Sequence, residues 1–159
     1  MAKPIRKKKK VESEFKEVTV SIRRVMRVTK GGRQLRFSSL VVIGDEKGRV
    51  GQGMGKAAEV ADSIQKAVKE AKKNIVEIVV NEHGSIPHSV RAKYKSSQVL
   101  LMPASEGTGV IAGSFVRTVC ELAGIKNILS KSFGSNNKIT GVRATIQALE
   151  QLREFTPKI

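Results

Sequence analysis

The charged residues between Val18 and Gly44 are all cations. Arg23, Arg24, Arg27, Lys30, Arg33 and Arg36 fall in this stretch, which holds no Asp or Glu. A solvated strand face ordinarily mixes charge signs, so an acid-free one points to an anionic partner. Gly31 and Gly32 lie among these cations, and backbone without a Cβ can approach phosphates closely. Farther along, Arg49 and Lys56 bracket Gly51, Gly53 and Gly55 just before a helical pattern. Those glycines could bring backbone to an RNA phosphate, with Lys56 and the helix N-terminus adding positive potential. Their alternative use is a strand that a helix crosses closely. Glu59 and Asp62, in the first turns of that helix, would temper anion binding.

Other chemistries fit poorly. A phosphate-binding loop of the Walker type needs Gly where Val50 stands and Ser or Thr where Ala57 stands. Gly107, Gly109 and Gly113 mimic a dinucleotide fingerprint, but no acidic residue follows in Lys131–Ser135, so a structural or interface loop is expected. His83 and His88 are the only histidines, and their offset across Gly84 and Pro87 suits surface loops better than metal ligation. No nucleophile–base set or carboxylate pair emerges, so no catalytic residue and no metal site is assigned. Cys120 is the single cysteine, which excludes an internal disulfide, and its apolar neighbours Val116 and Val119 predict a buried, inert thiol.

Composition narrows the partner. The 159-residue chain carries a formal charge of +16 and a pI near 10.3. Aromatic residues make up only 4%, too few for a base-stacking platform. The balance favours backbone and shape recognition of a folded or double-stranded nucleic acid. A membrane surface is the rival polyanion, but the most amphipathic helical segment has an Ala, Val and Ile face suited to packing inside a protein. No run of about 18 apolar residues occurs. Met1–Lys10 is followed by Val11-Glu12-Ser13-Glu14 instead of an apolar stretch, so no secretory signal is expected. The expected setting is cytoplasmic. A free-standing nucleic-acid-binding regulator and a nucleotide-binding enzyme are the competing classes.

The elements that must hold the cations follow from periodicity. Residues 1–14 read as a basic, flexible arm with Lys7–Lys10 as its charge run. Val18, Val20 and Ile22 alternate with Thr19 and Ser21 as in a half-buried strand. The alternation slips at Arg23-Arg24, which predicts a bulge there. The apolar runs on either side of Gly31-Gly32 predict a hairpin, Asp45–Gly48 a second turn, and Arg49-Val50 a short strand. Ala57, Val60, Ala61, Ile64, Ala67, Val68 and Ala71 keep helical spacing. Residues 15–76 thus read β-β-β-α. Residues 77–155 read as a second α+β unit opening on a strand at Val76–Val80. It continues with a loop holding one short strand and a strand at Val99–Met102, and ends β-α-β-α with helices at Ala112–Leu122 and from Ile139. Residues 156–159 form a short tail.

These residues also carry a resemblance. Val28–Arg33, Gly48–Val60, Pro103–Gly113, Ser132–Asn136 and Val142–Thr145 together resemble the bacterial-type small ribosomal subunit protein five family, in order, over about residues 15–155. The resemblance implies a first domain similar to a double-stranded-RNA-binding fold without its first helix. It implies a second domain with a left-handed β-α-β crossover. It further implies a structural, non-enzymatic role. The protein would bind small-subunit ribosomal RNA where head meets body, contact proteins four and eight, act with protein four on decoding accuracy, and line the messenger RNA entry channel. Carried over by position, Arg24–Arg33 match the loop that meets RNA, and Gly109 and Arg117 match the protein-four interface. No cofactor is implied, magnesium belonging to the RNA. Gln52 and Met54 stand where the family often has aromatic residues, and Lys138 where proline is common.

Overall fold

A computed structural model describes residues 15–81 and 83–152. The proposed arm at residues 1–14 and the tail at 156–159 lie outside them. The fold is α+β, built from two four-stranded sheets and three helices among the described residues.

The first sheet has the order β1-β2-β3-β4, all antiparallel. Its strands are β1 (Lys16–Thr29), β2 (Gly32–Gly44), β3 (Arg49–Ala57) and β4 (Ile75–Glu77), with α1 (Val60–Ala71) between the last two. The continuous run Leu40–Ile43 in β2 is buried throughout because both sheet faces are covered. Val41 and Ile43 pack on Ala67, Val68 and Ala71 of α1. Leu40 and Val42, joined by Val50, belong to the larger core formed with the second half of the chain.

The glycines of β3 face α1. A methyl group at Gly51, Gly53 or Gly55 would strike the backbone carbonyl oxygens of Ala71, Ala67 and Ser63 respectively. Two strand residues advance about 6.6 Å and four helical residues about 6.0 Å, so the two ladders nearly keep step. The strand runs beneath the helix with no side chains between them. This corrects the reading of these glycines as a phosphate approach: the helix occupies the face they free. It also corrects two boundaries, since β3 runs to Ala57 and α1 begins only at Val60.

Three further expectations change. The bulge falls between Thr19 and Ser21, not at Arg23-Arg24. Val18 and Val20 therefore pack on the larger core, while Ile22 lies opposite Ser39 on the α1 side and is 47% exposed. Lys138, the first residue of the last helix, donates from Nζ to the bulged Val20 carbonyl at 3.3 Å. Finally, the strand read at the head of the second half, Val76–Val80, is the shorter β4, which pairs with β3 as the last strand of the first sheet.

The second sheet has the order β5-β6-β8-β7. It contains β5 (Val90–Tyr94), β6 (Ser97–Pro103), β7 (Val110–Ile111) and β8 (Ile128–Gly134). Only the β7–β8 pair is parallel, and α2 (Ser114–Leu122) makes the crossover between its strands. The helix α3 (Lys138–Glu150) closes the unit, with Asn137 Oδ1 capping Ile139 N–H at 3.2 Å. Both α2 and α3 touch strands of both sheets. Cys120 is fully buried among them, and burial pushes its thiol up to about 12.

The β2–β3 turn docks on the end of α2. Glu46 and Gly48 N–H groups donate to the carbonyls of Leu122 and Ala123, both at 3.0 Å. Gly124, at φ +84°, ends the helix and lies against Glu46.

The two sets of glycines make opposite predictions. Gly53→Ala should destabilise the protein by about 1–3 kcal/mol through overlap with α1. Gly31→Ala should change stability by less than about 0.5 kcal/mol, since nothing lies within 4 Å of where the added methyl would sit. Chemical denaturation of both variants checks the contrast.

Candidate nucleic-acid interface

The β1–β2 hairpin outruns the sheet. β3 covers β2 only from Phe37 to Gly44, whereas β1–β2 pairing continues to Thr29 and Gly32 across the two-residue turn Lys30-Gly31. The unsupported ribbon is about 15–20 Å long at 3.3 Å per residue. Every residue from Ile22 to Arg36 is exposed, so neither face of the ribbon is covered. Gly32 adopts φ +130°, a conformation that favours glycine at this turn.

Directly opposed residues of an antiparallel pair share a face, so the register sorts the cations. One face carries Arg23 opposite Ser38 and Lys56, Arg36 opposite Val25, and Arg27 opposite Gln34. The other carries Arg24 opposite Phe37, Met26 opposite Leu35, and Val28 opposite Arg33. Arg36 is thus diagonal to both Arg23 and Arg27, at a separation of about 7–8 Å. Among the described residues, no acidic side chain pairs with any of Arg23, Arg24, Arg27, Arg33, Arg36, Lys30 or Lys56. Cations held this close by a rigid ladder repel one another until an anion sits among them.

Arg49 is placed differently. It sits at the opposite end of β3 from Lys56, about 23 Å away at strand rise. Its Nε donates to Asp45 Oδ2 at 2.7 Å, and its guanidinium lies 5.1 Å from the Phe15 ring. Asp45 Oδ1 also accepts from the N–H groups of Lys47 and Arg49 at 2.9 and 3.0 Å. Burial pushes the Asp45 carboxyl up, but the Arg49 guanidinium and these two amides outweigh it and hold the group below its usual range. Here Arg49 fastens the turn that docks on α2.

Gly109 and Arg117 come together around β7. Gly109 has φ +75° and donates its N–H to Asn127 Oδ1 at 3.1 Å. Arg117 Nη2 donates to the Val110 carbonyl at 3.2 Å from the exposed side of α2. Gln52 and Met54 are half-buried beside Ile139 and Arg143. His83 and His88 lie in the loop before β5, as expected.

One basic surface went unread in the sequence. The four strands of the second sheet contain no acidic residue. Its face away from the core carries Arg91, Lys93 and Lys131 beside Leu100, Met102 and Phe133. Phe133 is 41% exposed, with Arg91 5.5 Å from its ring. The alternation of Arg91 and Lys93 with buried Val90 and Ala92 was the available signal.

Two family models match the chain: the ribosomal protein S5 N-terminal domain over residues 15–79 and the ribosomal protein S5 C-terminal domain over residues 92–159. The chain belongs to the ribosomal protein S5 family. Small ribosomal subunit protein uS5 of Campylobacter jejuni is 59% identical over 140 residues, covering 88% of this chain and 95% of the relative. Small ribosomal subunit protein uS5c of Spinacia oleracea is 47% identical over 150 residues, covering 94% of this chain and 49% of the relative. Membership makes this a structural ribosomal protein of the small subunit, not an enzyme, and one that associates with ribosomal RNA and other ribosomal proteins. Among the described residues no helix is long and apolar enough to cross a membrane.

Asp45 supplies a pH test. Its depressed carboxyl stabilises the fold above the ordinary carboxylate range, near pH 4, and that contribution is lost as pH falls through the lower folded-state value. Asp45→Asn should therefore lower Tm at pH 7, with the gap to the parent closing below about pH 4. Thermal melts across pH 3–7 measure it.

Proposed function

We propose that the chain binds small-subunit ribosomal RNA at the junction of head and body, with the β1–β2 ribbon as its principal contact. The observation that carries this reading is the acid-free face of Arg23, Arg27, Arg36 and Lys56 on a ribbon free of the core. Lys30, Gly31, Gly32 and Arg33 bring the tip to the same RNA, with Arg24 on the opposite face. The mechanism is charge neutralisation with rigid positioning. Arg and Lys replace counterions between RNA segments that would otherwise repel, and the packed sheets fix the direction of the ribbon. Residues 15–76 carry the ribbon, and residues 77–155 carry Gly109 and Arg117. Arg49 contributes by holding the Asp45 turn.

The region of Gly109 and Arg117 is proposed to face small-subunit protein four and, with it, to influence decoding accuracy. Protein eight and messenger RNA at the entry channel complete the proposed partners. No cofactor is required, and magnesium acts through the RNA.

Two measurements test the reading. The log–log salt slope for binding ribosomal RNA should fall by about 2–3 in the Arg23→Gln, Arg27→Gln, Arg36→Gln variant, at about 0.7–0.9 per phosphate contact. An unchanged slope overturns the ribbon assignment. Arg117→Ala should raise miscoding in a reporter assay with little change in RNA affinity; unaltered fidelity overturns the protein-four assignment.

A further inference from the structure

The second sheet keeps one face bare. Both α2 and α3 pack on the side that carries Val99, Leu101 and Ile128. Side chains alternate along a strand, so the register fixes what stands on the other side. Met102, Leu129 and Ile111 form a row across β6, β8 and β7 there, with Leu100 beside it. Arg91 and Lys131 flank Leu100, and Phe133 stands beyond them. An antiparallel sheet with one face in water ordinarily turns polar side chains outward. Here a contiguous aliphatic end is turned outward instead. Ile111 is 54% exposed, and Leu100, Met102 and Leu129 are half-buried. Arg91 is held in place beside this end. Its Nη2 donates to Gln98 Oε1 at 2.9 Å, and its guanidinium lies 5.5 Å from the Phe133 ring. Apolar surface left bare on a folded chain marks a contact.

We infer that this face docks another protein of the small subunit, through a segment that sets aliphatic side chains beside Asp or Glu. The inference draws on association with other ribosomal proteins and not on the reading of the ribbon. Charge complementarity selects the occupant. The strands β5 to β8 contain no acidic residue, so the occupant supplies the anions that face Arg91, Lys93 and Lys131. A second copy of a +16 chain would be repelled. Phosphates would satisfy the cations but leave the aliphatic end without a partner. Base stacking lacks a free ring, because Phe133 is the one aromatic residue on this face and Arg91 lies over it. An apolar patch with charge at its margin is instead the anatomy of a protein interface. Successive outward residues of a strand stand about 7 Å apart. The partner's acids are therefore set about that far from the aliphatic groups that cover Met102 and Ile111. Arg91 is already held by Gln98 and Phe133, so pairing costs it little freedom. Arg117 belongs to α2, on the other side of the sheet, so a partner on this face makes a separate contact.

The experiment identifies the occupant inside assembled particles. The photo-crosslinking amino acid p-benzoylphenylalanine replaces Phe133 in the full chain, and small subunits purified from cells making it are irradiated. The crosslink is expected on a peptide of another ribosomal protein, with Asp or Glu within about four residues of an aliphatic side chain. The same amino acid in place of Lys93 should capture the same protein. A crosslink to RNA, to a second copy of this chain, or to nothing overturns the proposal. The captured protein, purified, is then bound to the full chain. Lys131→Glu should weaken that binding about tenfold, and changing the facing acid of the partner to Lys should restore it to within about twofold. Ile111→Ser should weaken it about tenfold, by nearly the same factor at low and high salt. Matching melting curves for the variants establish that the fold is intact. A Lys131→Glu loss that the reversed partner does not rescue overturns the charge pairing, and undiminished binding by Ile111→Ser overturns the aliphatic contact.

Discussion

Burial of Leu40–Ile43 on both faces of β2 is the constraint on which the rest depends. The same strand that supplies one side of the exposed ribbon is clamped at its root between α1 and the helices of the second half. A two-stranded ribbon is marginal alone in water. Here its first half is built into a sheet held from above and below, so the distal arginines project from a fixed base. That rigidity is what allows like charges to be held together without an acidic partner.

Each clamp requires absent side chains. On the α1 side, Gly51, Gly53 and Gly55 let helix backbone rest on strand backbone. On the other side, Gly44 lies against the Leu122 backbone and Gly124 against Glu46. The bonds across that second contact run from turn amides to helix carbonyls, groups that every helix C-terminus must satisfy. Asp45 and Arg49 hold the turn in the shape that presents those amides. The two sheets are thus joined by capping chemistry as well as by apolar burial.

Function follows from what is left uncovered. The ribbon, the loop around Gly109 and Arg117, and the outer face of the second sheet have no packed layer over them. Two of the three are acid-free across their strands. Unpaired cations therefore gather on the uncovered surfaces, while the acidic side chains of Asp45, Glu46 and Glu59 stand at turns and helix starts.

Periodicity and charge alone determined a good deal: the acid-free hairpin, α1, the buried Cys120 and the α+β class are all legible in the residues. They are local properties, carried by spacing or by side-chain chemistry. Three things were decided only by the tertiary structure. The bulge moved from Arg23-Arg24 to Thr19–Ser21, and because strand side chains alternate, its position sets which side of the sheet each arginine beyond it takes, while the hairpin register groups them across the two strands. The glycines of β3 could have served a phosphate or a helix equally well, and only the position of α1 chose. The docking of the Asp45 turn on α2 is made of backbone groups far apart in the chain, and backbone amides carry no signature in sequence.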